Sequence, residues 1–143
     1  MAYVARSIGR IYVLRWTTAV TLPDVDKLIH ELPATRRQAG EPLIAFSIIS
    51  AGIGIPDGQT RRVMLKHQHI WAENCEMIFV VLEDTGFPAT LVRAVLAELL
   101  LVTKRGIVKV FSSVDAAIVA MAMRLREQPG ALRRRIEQTG VLE

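Results

Sequence analysis

Apolar and polar positions along the chain change period several times, and each change marks an element. In "RSIGRIYVLRWTTAVT" the apolar residues alternate around Ile8, Ile11, Val13 and Trp16, and Gly9-Arg10 sits where the chain can turn. Alternation broken by a two-residue turn predicts a pair of short antiparallel strands. In "TLPDVDKLIHEL" the period lengthens, so Val25, Leu28, Ile29 and Leu32 share one helical face, with Thr21 as a cap and Pro23 in the first turn. Pro33 is expected to end or kink that helix. "PLIAFSII" then reads as an internal strand, apolar on both faces and covered by helices on at least one side.

The second half repeats the strand and helix units. "QTRRVMLKHQHIWAEN" predicts one helix with Val63, Met64, Ile70 and Trp71 on its apolar face, leading into the strand "EMIFVVLE". "FPATLVRAVLAELLLVTK" reads as a helix stopped at Gly106, "IVKVFSS" as the last core strand, and "VDAAIVAMAMRLREQ" as a helix begun near Ser112 or Ser113 and ended by Pro129-Gly130. The predicted order is ββαβαβαβα, an α/β fold whose mixed sheet starts with a hairpin. Residues 1–128 form a single domain in this reading, and residues 129–143, "PGALRRRIEQTGVLE" after Gln128, form a short polar, basic tail with room for a final helical turn or two.

Composition sharpens the picture. A chain of 143 residues suits one domain able to bury about two thirds of its unfolded surface. It is 51% hydrophobic, with a mean hydropathy of +0.31, which is more than such a domain needs. Arg93, Glu98 and Lys104 interrupt the most apolar segment, so a transmembrane span is not expected, and the surplus points to a subunit interface. The last two strongly apolar helices supply it, through Leu96, Leu100, Ile118 and Met121, and a homodimer is the favoured assembly. An N-terminus with arginines among its apolar residues lacks the core of a signal peptide, which favours a cytoplasmic setting. The single Cys75 excludes an internal disulfide and any multi-cysteine metal site.

Charge and chemistry narrow the function classes. The net charge of +4 gathers in Arg133, Arg134 and Arg135 and in the pairs Arg36-Arg37 and Arg61-Arg62, without interleaved aromatics, so nucleic acid is not the expected partner. The loop "SAGIGIPDG" has neither dinucleotide-binding nor P-loop spacing, and Pro56 removes a backbone donor. His67 and His69 would point roughly 200° apart on a helix, too far to share a metal. None of Ser47, Ser50, Ser112 or Ser113 lies in a nucleophile elbow, and Glu83-Asp84 precedes a turn. No enzyme and no cofactor is expected. A protein-binding edge containing Ser50, Gly52, Gly54, Asp57, Arg61 and Arg62 is the first functional candidate. An apolar ligand or lipid pocket around His67, Trp71, Phe87 and Leu91 is the alternative.

The segments "GEPLIAFSII", "PDGQTRRVML", "DTGFPATLVRAVLAELLL" and "VKVFSSVDAAIVAM" resemble the STAS-like (SpoIIAA-like) family, particularly its divergent single-domain bacterial branch, over roughly residues 8 to 125. The resemblance implies a small mixed sheet with helices mainly on one face and a non-enzymatic role as a regulatory or scaffolding interaction module. It also implies a phosphoacceptor place at the end of the third strand, where Ser50 is the hydroxyl that matches. The aspartate that precedes the acceptor in the family motif is Ile49 here, so phosphoswitching through Ser50 is disfavoured.

Overall fold

The computed structural model describes residues 2–53, 56–83 and 107–142. Chain order is β1 (Tyr3–Ile8), β2 (Ile11–Trp16), α1 (Leu22–Ala39), β3 (Leu43–Ile49), α2 (Gly58–Lys66), α3 (His69–Asn74), β4 (Cys75–Leu82), β5 (Val108–Phe111), α4 (Val114–Leu125) and α5 (Pro129–Glu137). The strands form one mixed sheet in the order β1-β2-β3-β4-β5. β1 and β2 pair antiparallel with Ile8 opposite Ile11, and the connecting turn needs Gly9 at φ 56°, a conformation open to glycine and strained for most other residues. From β2 to β5 every pairing is parallel. The α/β class, the opening hairpin and the mixed sheet are those read from the sequence.

Alternation along the strands divides the core in two. Tyr12, Leu14, Leu43, Ala45, Ile78 and Val80 point to one face, beneath Leu28 and Leu32 of α1 and the half-buried Ile70 and Trp71 of α3. Val13, Ile44, Phe46, Ile48, Phe79 and Val81 point to the other, beneath Ala117, Ile118, Met121 and Ala122 of α4 and Leu132 and Ile136 of α5. Helices therefore cover both faces, which corrects the expectation that they lie mainly on one. Handedness gives the reason. The crossovers from β2 to β3 and from β3 to β4 step the same way across the sheet, so right-handed connections place α1, α2 and α3 on a single side. The opposite face of these apolar strands needs its own cover, which the chain after β5 supplies.

The tail is likewise corrected. Residues 129–137 are a helix, Leu132 and Ile136 are fully buried, Val141 is buried beyond them, and Arg15 donates to the Leu142 carbonyl at 3.4 Å. Spacing of four residues between Leu132 and Ile136 puts both on one face of α5, a signal masked by the three arginines between them. Those arginines are partly neutralised within the chain: Arg133 pairs with Asp115 and Glu137, and Arg135 with Glu127.

Two helix boundaries also differ. α1 runs through Pro33 to Ala39 and stops at Gly40, whose φ of 74° and N–H bond to the Arg36 carbonyl form the C-cap. Burial of Leu32 on the core face holds the helix together where proline removes one backbone bond. The helix expected over "QTRRVMLKHQHIWAEN" breaks at His67-Gln68, where His67 N–H is shared between the Val63 and Met64 carbonyls and Ile70 N–H returns to the His67 carbonyl.

Because Leu132 and Ile136 have no exposure, Leu132→Ala or Ile136→Ala is expected to cost about 2–5 kcal/mol in urea unfolding. A chain ending at Gln128 should lose its cooperative transition. An unchanged urea midpoint in all three variants would return residues 129–142 to the status of a dispensable tail.

Candidate functional site

α1 and the α2–α3 pair meet over the C-terminal end of β2 without filling the space between them. The gap is a cavity of about 60 Å³. Trp16 forms one wall, Val20, Val25, Leu28, Ile29 and Leu32 come from the start and inner face of α1, and Met64, His67, Ile70 and Trp71 close the far side. The spacing of Met64, His67 and Trp71 keeps them on one side despite the break at His67. The Trp16 indole N–H donates to Ser47 Oγ at 3.1 Å, which leaves its ring as an apolar wall, and among the described lining residues His67 is the one titratable side chain. Such a volume admits a group of a few heavy atoms. It is smaller than the ~150 Å³ cavity that accepts benzene and far too small for a whole lipid chain.

The structure thus brings together His67 and Trp71 of the expected pocket, while Phe87 and Leu91 lie outside the described residues. Pattern reading missed Trp16 and the α1 wall. Val25, Leu28, Ile29 and Leu32 had been visible as a helical face, but nothing in their spacing distinguishes a face that lines a cavity from one packed solid.

The β3–α2 edge is arranged differently from the expectation. Ser50 is half-buried, with its Oγ buried and without a hydrogen-bond partner among the described residues. Gly52 takes φ 83°, and Gly54 lies outside the described residues. Asp57 caps α2, accepting from Thr60 N–H at 2.7 Å, and that bond holds its carboxyl below the usual range. Arg62 is exposed and Arg61 half-buried in the same first turns. The edge remains a surface, with Asp57 committed to the helix.

Other reactive groups also have structural partners. Glu83 pairs with Arg15 at 3.0 Å, Ser113 Oγ accepts from Ala116 N–H at the start of α4, and burial pushes the Cys75 thiol up to about 12. His67 and His69 are closer than a continuous helix would hold them, with ring centroids 6.4 Å apart across the turn. Even so, no group of three potential ligands that could hold a metal occurs among the described residues. Ile118 and Met121, expected at a subunit contact, lie 3% and 0% exposed in the domain's own core. That is a correction, since α4 turns these residues toward the sheet; Leu96 and Leu100 lie outside the described residues.

Fold and cavity together define a mixed-sheet α/β domain with helices on both faces and a small apolar recess beside α1. No family model matches this chain, and it matches no curated protein and no solved structure. Among the described residues no helix is long and apolar enough to cross a membrane.

α1, the wall of the cavity, is held to the hairpin by two buried tyrosines that meet a partly exposed glutamate. The Tyr3 and Tyr12 hydroxyls donate to the Glu31 carboxylate at 3.2 and 3.4 Å, and Lys27 reaches the same carboxylate at 3.4 Å. Burial, and then the Glu31 charge, raise both phenol pKa values well above the ordinary tyrosine value. A raised folded-state pKa contributes stability that is complete below the unfolded value, near ~10, and is lost as pH rises beyond it. These are the only tyrosines in the chain, so phenolate absorbance at 295 nm should stay absent from native protein at pH 10.5 (~half a unit above that value) and appear together with loss of the circular dichroism signal. Free titration of either phenol with the fold intact would contradict this arrangement.

Proposed function

We propose that this protein is a non-enzymatic binding module of STAS-like type, acting in the cytoplasm, whose recognition site is the cavity between α1 and α2–α3. The observation that carries the reading is the cavity wall itself. Two tryptophans, a histidine and seven aliphatic or methionine side chains enclose a space that protein interiors normally fill. Its size selects a small apolar group at the end of a ligand, with His67 as the polar contact at the rim. The structural duties of Asp57, Glu83, Ser113 and Cys75 favour binding over chemistry. The order of hairpin and β-α units agrees with the STAS-like reading, and the helices on the second face depart from it.

A second reading places a protein partner on the edge from Gly52 to Arg62. It is favoured by the exposure of Gly52, Asp57 and Arg62 along one rim. In that reading the module is regulatory or scaffolding, and the cavity is only an adjacent packing defect.

Trp16 and Trp71 are the chain's two tryptophans and both line the cavity, so intrinsic fluorescence reports directly on its contents. Native mass spectrometry of freshly purified protein is expected to show a bound small molecule, and its removal should shift the tryptophan emission. Ile29→Phe, which fills the space from α1, should abolish the adduct with little change in urea midpoint, and Arg62→Glu should leave it unchanged. An adduct-free wild type whose emission does not respond to small alkanols, or an adduct lost in Arg62→Glu and kept in Ile29→Phe, would overturn the cavity as the site.

A further inference from the structure

We infer that the ligand of the cavity is a short aliphatic carboxylate, with its alkyl end inside and its carboxylate at the rim on the His67 imidazole, a reading that rests on the cavity being the recognition site. Size fixes the first half. A space of about 60 Å³ walled by aliphatic side chains and two indoles takes about three carbons, roughly half of the benzene that fits a ~150 Å³ cavity. His67 is half-buried in that wall, so a group on its ring reaches both the apolar interior and water.

The open polar groups of the wall select the other half. The Trp16 indole N–H is taken by Ser47 Oγ, whereas among the described residues neither the His67 ring nor the Trp71 indole N–H makes a hydrogen bond. Four residues apart, these two share one side of the α2–α3 pair. An indole can only donate and an imidazole N–H donates as well, so the pair suits an acceptor. No carboxylate lines the cavity among the described residues, and a cationic amine entering it would lose its water without gaining a counter-charge. Carboxylates on the surrounding helices are engaged or turned away. Asp24 accepts from the Thr21 N–H and hydroxyl, Asp26 lies beside His30, Glu31 holds the two tyrosines, and Asp57 caps α2. Glu73 stands exposed two residues past Trp71, roughly 200° round the helix. Lys66 and His69, both exposed, flank His67 in the chain, and the His69 ring lies 6.4 Å from that of His67. An anionic head group therefore meets donors and no opposing carboxylate. A carboxylate accepts a charge-assisted bond, roughly twice as strong as a neutral one, while phosphate, with three acceptor oxygens, would need more donors than this wall holds.

Tryptophan emission at neutral pH can read the binding of isobutyrate, isobutanol and isobutylamine, which share an isopropyl end and differ in the head group. Isobutyrate is expected to bind about fivefold tighter than isobutanol or better, with isobutylamine the weakest. His67→Phe keeps a ring in the wall and removes its donors. In that variant isobutyrate should fall to the level of isobutanol or below, while persistent isobutanol binding reports that the cavity is intact. His69→Phe should leave the preference in place. Isobutanol or isobutylamine binding as tightly as isobutyrate, or a preference for isobutyrate that survives His67→Phe, would overturn the carboxylate while leaving the cavity as the site. A wild type whose emission responds to none of the three would overturn both.

Discussion

The central strands are apolar on both faces, and the rest of the molecule is arranged to satisfy that. β3 buries Leu43, Ala45 and the ring of Phe46 alternately into two separate cores, so neither face tolerates water. Parallel pairing on both sides of β3 demands crossovers, and right-handed crossovers deliver helices to one face only. The second face is closed by the chain's last two helices. This is why a segment carrying three consecutive arginines still places Leu132 and Ile136 in the core.

The cavity follows from the same economy of cover. One long helix, α1, lies across one end of the sheet beside a helix pair broken at His67-Gln68, and the two do not interlock fully. Aromatic walls from Trp16 and Trp71 keep the gap apolar, while the tyrosine and glutamate cluster anchors α1 against the hairpin. A recess with a pinned wall is preorganised, so a ligand group entering it loses little to rearrangement of the protein. By contrast, the polar residues around the sheet are engaged: Arg10 bridges Glu41 and Glu76, and Arg124 reaches Glu76 from α4.

α4 shows that a helix apolar nearly all round still commits only part of its circumference to the core. Hydrophobicity all round its circumference pointed to a subunit contact, but it did not say which stripe met the sheet. Burial assigns Ile118 and Met121 inward and leaves Val119 and Met123 outward. The inward stripe holds the domain together, so a charge placed there would unfold it, whereas the same charge at Val119 or Met123 would meet water.

Period and punctuation determined most of the local structure: the hairpin from alternation around Gly9, the strands of "LIAFSII" and "EMIFVVL", the capped starts of α1 and α4, and so the α/β class. Those features depend on residues within a few positions of one another. Two of the residues named for an apolar pocket, His67 and Trp71, line the cavity. Tertiary structure decided the rest. Which face each helix covers depends on crossover handedness and on the need to close a two-sided sheet, and both are properties of the assembled chain. Trp16 joins Trp71 only because α1 and α2–α3 converge over the end of β2, and the Ser50 hydroxyl is buried only by the assembled fold. Linear patterns encode amphipathicity, which is local; cavities, buried hydroxyls and the choice between two apolar stripes arise from contacts between segments far apart in the chain, and these are set only when the core closes.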